Sequence, residues 1–336
     1  MASLKQIAEK AHVSISTVSR ILNYDETLSV TQETRIRVFK AAEEFNYTKP
    51  IRKKKRKKVA VVTWYTEAQE LKDSYYLSIR LAVESILKQL SISITRIFSD
   101  GVISNIKNCN GAILIGHFSS NQYKLFKDLN KNIVVIGENT IKYNISCVSS
   151  DNEVSIKNVL DYFITNKRTN IGIFVGNGRT NDGLEKIYDY RLGVFRKYLK
   201  SKHLYKAKNV FEGAVSTNNG YKMANEAYEE LKNEFPNAIL VASDTMAVGV
   251  LRFMHDYDIK VPERVAIMSF NDSPTAQFST PSLSSIKVFT DVMAKRGVDL
   301  LTDRLTNDSK DAQISECIIV GTVINYRESS NFQGEA

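Results

Sequence analysis

The sequence predicts a small all-α head followed by a larger α/β core whose parallel sheets are covered by helices on both faces. Three observations predict it. Residues 3–47 hold three short amphipathic helices with polar capping residues at their starts. From Val59 onward, short β-branched runs alternate with helical stretches, the pattern of parallel strands buried on both faces. Between the two lies a run of seven consecutive basic residues, Arg52 to Lys58. Of the net charge of +9 over 336 residues, +8 resides in the first 58, which hold 14 Lys/Arg against 6 Asp/Glu. So strong an asymmetry points to a polyanionic partner for the front of the chain. The division expected is a head at 1–47, a basic linker at 48–58 and a core at 59–336.

The head can be justified helix by helix. Ser3 and Gln6 form a capping box before Leu4, Ile7, Ala8 and Ala11. Ser14 caps a second helix carrying Ile15, Val18, Ile21 and Leu22. Thr31 caps a third, whose inward face is expected to be Ile36, Val38, Phe39, Ala42 and Phe45. Three helices with a tight turn between the first two match a helix-turn-helix module, which sends its second helix into the major groove of DNA. The outer face of that helix offers Ser16, Thr17, Ser19 and Arg20, short hydroxyls and a guanidinium for phosphates or base edges. A small helical cap with a solvated Ser/Thr face would show the same pattern.

The stretch "LKQIAEKAHVSISTVSRILN" resembles the N-terminal signature of the LacI/GalR family of bacterial transcription regulators. The resemblance implies that Ile15 and Ser16 occupy base-reading positions, that Thr17, Ser19 and Asn23 hold phosphates, and that Arg20 contacts base or phosphate. Ser3 and Thr31 complete the DNA-binding candidates in the head. Ile15 can offer only apolar contact, for instance to a thymine methyl.

In the core, strands are expected at 59–64, 94–98, 111–115, 133–137, 171–175, 238–242 and 265–270. Helices are expected around 75–90, 154–166, 190–202, 219–233, 245–256 and 291–305. So many strands in some 270 residues suggest two α/β lobes, with ligands bound beyond the carboxyl ends of the strands. "CVSSDNE" (147–153), "DYRLGVFRKYL" (189–199), "VASDTMAVGVLR" (241–252) and "VAIMSFNDSPTAQFSTPSLSSIKV" (265–288) extend the resemblance along the chain. It implies a two-lobed, periplasmic-binding-protein-like core with an effector between the lobes. The N-lobe would comprise about 59–152 and 288–314, and the C-lobe about 153–287 and 315–330.

By position in that resemblance, Arg191 is the leading effector contact, its guanidinium a fixed fork of donors for hydroxyls or anions. Asn271 stands where many relatives carry Asp. Ser243 and Asp244 line the same mouth, although Asp244 could instead cap the helix beginning near Thr245. Trp64, Tyr65, Tyr75 and Tyr76 surround the first strand-to-helix loop and could stack on sugar faces, with Tyr76 expected in the core. Asp73 is a candidate hydroxyl acceptor and Phe289 a candidate wall. "GNGRTNDG" (176–183) fits no phosphate fingerprint and reads as a flexible loop beside the cleft.

An enzyme would need a catalytic constellation, and none is evident: His12, His117, His203 and His255 are scattered, with no HExxH, GxSxG or P-loop. No metal or cofactor is expected. Cys109, Cys147 and Cys317 form no CxxC pair, which suits a reducing cytoplasm. The N-terminus lacks a signal-peptide core, and no apolar run reaches the ~18–20 residues that span a bilayer. "YRESSNFQGEA" lacks the leucine heptads of a tetramerising helix.

The reading that results is a cytoplasmic homodimer bound to a pseudo-palindromic operator in double-stranded DNA. It would be a repressor released by a sugar, with "DSYYLSIR" resembling the galactoside-responsive branch. A purine or phosphorylated-carrier-protein effector is the alternative within the family, and a sugar-binding protein without a regulatory role the alternative outside it. In typical relatives the linker forms a hinge helix with an alanine and a leucine wedged into the minor groove. This linker has neither, and Pro50 limits any helix. Lys53, Lys54, Lys55 and Arg56 are instead expected to bind phosphates or a narrow minor groove.

Overall fold

A computed structural model describes residues 3–25, 27–47, 57–71, 74–307 and 314–332. The chain divides into two units, Met1–Lys55 and Arg56–Ala336. The first contains α1 (Leu4–Ala11), α2 (Ile15–Leu22) and α3 (Gln32–Glu44). Each begins at the expected cap: Ser3 in a capping box with Gln6, Ser14 accepting from the Thr17 amide, and Thr31 from the Thr34 amide. Ile7, Ala8, Ala11, Val18 and Ile21 are buried between the helices.

The inward face of α3 differs from the expected one. Val38, Ala41 and Ala42 are buried, whereas Ile36, Phe39 and Phe45 are 50%, 36% and 37% exposed. Val38, Ala41 and Ala42 fall at i, i+3 and i+4, and two of them are alanines that let the helices approach closely. The larger side chains lie outside that stripe, with the Phe39 ring 5.8 Å from Tyr24. Size misled the assignment; spacing decides it.

The second unit holds two six-stranded sheets. The first has the order β11-β5-β4-β3-β1-β2, from β1 (Lys58–Thr63), β2 (Ser93–Ile97), β3 (Gly111–Ile115), β4 (Ile133–Ile136), β5 (Ser146–Ser150) and β11 (Cys317–Val320). Every pairing in it is parallel. The second has the order β12-β10-β9-β8-β6-β7, from β6 (Ile171–Gly176), β7 (Val210–Gly213), β8 (Ala238–Val241), β9 (Ala266–Asn271), β10 (Ser284–Val288) and β12 (Thr322–Asn325). Only β12 runs antiparallel, against β10.

Helices α4 (Glu67–Glu70), α5 (Ser74–Gln89) and α6 (Ser120–Leu129) follow strands of the first sheet. Helices α7 (Asn152–Thr165), α8 (Tyr190–Ser201), α9 (Thr217–Leu231), α10 (Asp244–Asp256) and α11 (Pro274–Phe278) belong to the second. Helix α12 (Thr290–Thr306) returns to the first lobe, where its Met293, Ala294, Val298 and Leu301 are buried with Ile79, Val83 and Leu87 of α5. In the second lobe α9 and α10 pack so closely that a Cβ on Gly249 would lie 1.9 Å from the carbonyl oxygen of Thr217.

The chain crosses between lobes after β5, after β10 and between β11 and β12. The third crossing corrects the expected boundary at 314/315. Cys317–Val320 pairs with β5 in the first sheet, so the chain returns to the second lobe only at Gly321. Among the described residues no helix is long and apolar enough to cross a membrane.

Candidate functional site: the head and the interlobe cleft

The exposed face of α2 carries Ile15, Ser16 and Arg20, with Thr17 and Ser19 half-buried. The hydroxyls nearest the helix start are already engaged. The Ser14 cap oxygen lies 2.7 Å from that of Ser16 and 2.8 Å from that of Thr17. Arg20 donates from Nε to Asp25 at 2.7 Å and from Nη2 to Thr27 at 2.9 Å, and its side chain remains 45% exposed. The Arg20 bond to Asp25, together with the Thr27 hydroxyl and amide that donate to the same carboxylate, depresses the Asp25 pKa to about 2. Asn23 donates to the Ser19 carbonyl at 2.7 Å. Ser3 and Thr31 act at helix starts, as above. The linker candidates Lys53, Lys54, Lys55 and Arg56 lie outside the described residues, as does Asp73 of the core.

In the core a cavity of about 460 Å³ opens between the lobes, at the carboxyl ends of both sheets. Its first-lobe side is aromatic. Trp64 stacks on Tyr65 (centroids 4.4 Å apart) and meets Tyr76 edge-on at 5.4 Å, and Tyr76 meets Tyr75 at 4.9 Å. Trp64 lies so close to Gly116 (φ +109°) that a Cβ there would fall 2.0 Å from the indole Cδ1. His117 packs edge-on to Trp64, its Nδ1 3.3 Å from Glu138, which also accepts from the Tyr123 hydroxyl at 2.8 Å. The loop after β1 is held from below: Arg80 donates to Glu70 at 2.9 and 2.7 Å and to Glu84 at 2.9 Å, and all three are buried.

The second-lobe side is polar. Asp189, the N-cap of α8, receives Arg191 Nε at 2.7 Å and Nη2 at 2.8 Å, while Nη1 donates to the Ala242 carbonyl at 2.6 Å. Burial would raise the Asp189 pKa, but the guanidinium outweighs it and holds this carboxyl below the usual range. Burial likewise disfavours charged Arg191, and the Asp189 carboxylate outweighs that to raise its pKa. Three of the five guanidinium N–H groups are thereby used, leaving one on each terminal nitrogen of a side chain that lines the cavity. Ser243 caps α10 and lines the wall, and Asn271 lines it in the left-handed region at φ +100°.

Residues 160–330 match the family described as "Periplasmic binding protein-like domain", and residues 3–50 match "Bacterial regulatory proteins, lacI family". The chain is 36% identical to the "HTH-type transcriptional regulator GalR" of Streptococcus thermophilus, over 98% of this chain and 100% of that one. It is 30% identical to "HTH-type transcriptional regulator GanR" of Bacillus subtilis, over the same shares. The chain belongs to the lacI family of bacterial regulatory proteins. It is therefore a DNA-binding transcriptional regulator and not an enzyme. Solved lacI-family structures carry the same fold. The "transcriptional regulator CelR-cellobiose complex" aligns with TM-score 0.70 at 22% identity, over 98% of this chain and 100% of that one. The lac repressor dimer bound to operator and the anti-inducer ONPF gives 0.68 at 19%, over 98% and 99%.

Of the effector candidates read from the sequence, Tyr65, Tyr75, Arg191, Ser243 and Asn271 meet at this cavity. Two do not. Asp244 is 1% exposed and turned away from the cavity, accepting from Ser269 Oγ at 2.6 Å, Ser285 Oγ at 2.7 Å and the Ser273 amide at 2.6 Å. It does not cap α10 either, because Ser243 does. Burial pushes its pKa above the usual carboxyl range against those three bonds. Phe289 precedes α12 under Lys287, and the wall is formed by its neighbour Val288. Sequence reasoning missed Asp189, Gln69, His117, Arg179 and Asn181. For Asp189 a signal was available: an N-cap type residue two positions before an arginine.

Proposed function

We propose that this chain is a homodimeric repressor of sugar-utilisation genes that releases its operator when galactose or a β-galactoside binds between the lobes. The observation that carries the reading is the two-sided chemistry of the cleft. Aromatic faces on one wall suit the apolar faces of a pyranose, and the preorganised Arg191 fork on the other suits its hydroxyls. The relatives support the sugar class, since regulators named GalR, GanR, LacR and MelR all match at 30% identity or more.

In this reading residues 1–47 are the DNA head, 48–58 the linker and 59–336 the effector and dimerisation core, and the protein acts in the cytoplasm. Helix α2 enters the major groove, with Ile15 and Ser16 at base edges and Arg20, Thr17, Ser19 and Asn23 at base or phosphate. Arg20 leaves Asp25 to do so. Ser3 and Thr31 present helix N-termini to the backbone. Lys53, Lys54, Lys55 and Arg56 hold the operator electrostatically in place of a wedged leucine. Arg191, Ser243, Asn271, Tyr65 and Tyr75 hold the effector, and Asp73 stays a candidate hydroxyl acceptor from the sequence alone. Effector binding favours one lobe angle over the other, and only that difference in affinity shifts the equilibrium. A thermal-shift screen of pyranoses tests the assignment. Galactosides raising the melting temperature, with purines inert, is the expected result; the reverse would remove the sugar.

A further inference from the structure

The segment from Asn177 to Tyr188 forms a hairpin closed by a bridge between Arg179 and Lys186. It belongs to the second lobe, between β6 and α8, yet it fastens to the first. Asn181 Nδ2 donates to the Trp64 carbonyl, Ser119 Oγ donates to the Asp182 carboxylate, and the Ser120 amide donates to Glu185 at 2.9 Å. Three hydrogen bonds thus lay the hairpin across the mouth of the cavity.

The hairpin also brings side chains of its own. Arg179, Asn181 and Tyr188 all line the cavity. Tyr188 is 84% exposed, with Lys186 Nζ 5.9 Å from its ring centroid and Lys186 itself paired to Glu212 at 3.1 Å. Arg191 and Ser243 sit deep, at 24% side-chain exposure and 5% exposure respectively. The cavity therefore has two zones of similar chemistry. An inner zone has the Arg191 fork and the Trp64–Tyr65 stack; an outer zone has Arg179, Asn181 and the Tyr188 ring. Each pairs hydrogen-bond donors with an aromatic face, the combination that recognises a pyranose ring.

We propose that the hairpin 177–188 builds a second-ring subsite, so that the preferred effector is a disaccharide whose outer ring packs on Tyr188 under Arg179 and Asn181. This rests on the sugar reading above and narrows it to chain length. Free monosaccharide occupies the inner zone alone and binds more weakly.

Trp64 is the only tryptophan in the chain and sits at the inner zone, so its fluorescence reports occupancy. Full-length protein is titrated with galactose and with β-galactosyl disaccharides, in the wild type and in Tyr188→Ala and Arg179→Ala. A disaccharide binding at least tenfold tighter than galactose, with either substitution removing most of that gap and leaving galactose affinity within twofold, is the expected result. Equal affinity for one ring and two, or substitutions that weaken both alike, overturns the subsite. Both positions are exposed, and a thermal melt confirms that the variants fold. If galactosides of neither length bind, the galactoside reading fails separately. The same comparison of one ring with two, run with glucosyl and other pyranosyl pairs, then judges the subsite, and no length preference there overturns it.

Discussion

Asp189 and Arg191, two residues apart at the start of α8, meet fork to fork, Oδ1 to Nε at 2.7 Å and Oδ2 to Nη2 at 2.8 Å. The pair fixes the guanidinium plane before any ligand arrives, so the two remaining N–H groups need no reorganisation to meet hydroxyls. Arg191→Ala should weaken effector binding by roughly 10- to 100-fold, the worth of one charge-assisted bond at about 1.5–3 kcal/mol. Asp189→Asn keeps the cap and the shape but loses the charge, and a smaller loss of roughly 3- to 10-fold is expected. Calorimetric titration checks both. Equal affinity in Arg191→Ala and wild type would remove this residue from the site.

Gly116 is required by the indole beside it. A methyl there meets Trp64 within 2.0 Å, and φ +109° disfavours any side chain. Gly116→Ala should displace Trp64 and red-shift its emission. It should cost stability by about 1–3 kcal/mol and abolish effector binding while operator binding persists. An unshifted spectrum would show that the indole rests elsewhere.

Two carboxylates should respond to pH with opposite signs. The folded pKa of Asp25 is depressed to about 2 from an ordinary 3.8. Its contribution is present above 3.8 and is lost as pH falls toward 2. Asp244 is raised by burial, so its charge costs stability as pH climbs from 3.8 through its folded value. Carboxyl-carbon NMR titration reads both, and Asp244 titrating below 3.8 would contradict the second sign. Asp244→Ala leaves three donors to find new partners, a loss of about 1–3 kcal/mol in chemical denaturation.

The basic linker makes a prediction about salt. Each phosphate contact contributes roughly 0.9 to the slope of log affinity against log salt. Neutralising Lys53, Lys54, Lys55 and Arg56 with glutamine should lower that slope and weaken operator and random DNA by similar factors. An unchanged slope in a salt series would reduce the run to a spacer.

Much of this was legible in the sequence because local rules and global structure agree. Caps at Ser3, Ser14 and Thr31, and the apolar runs of β1, β3, β4, β6, β8 and β9, sit within a residue or two of where pattern puts them. Strands β5, β7, β10, β11 and β12 escaped notice. SCVSS and SSIKV carry serines whose hydroxyls serve the interior, Ser285 on Asp244 for one, and polarity hid their burial. The face of α3 was misread because exposed Ile36 and Phe39 are larger than buried Ala41 and Ala42. The cleft was only half legible. Resemblance reached Arg191, and its partner Asp189 stood two residues away, unread; the hairpin that roofs the cleft depends on contacts far apart in sequence, such as Asn181 with Trp64.

Operator release on effector binding is best measured directly. Purified dimer is bound to its labelled operator at fixed salt, and fluorescence anisotropy follows the complex as a β-galactoside is added. Loss of specific binding at effector concentrations that also change Trp64 emission, and no such loss in Arg191→Ala, is what coupling through the cleft requires. Operator affinity that stays constant while Trp64 reports a filled cleft would contradict it.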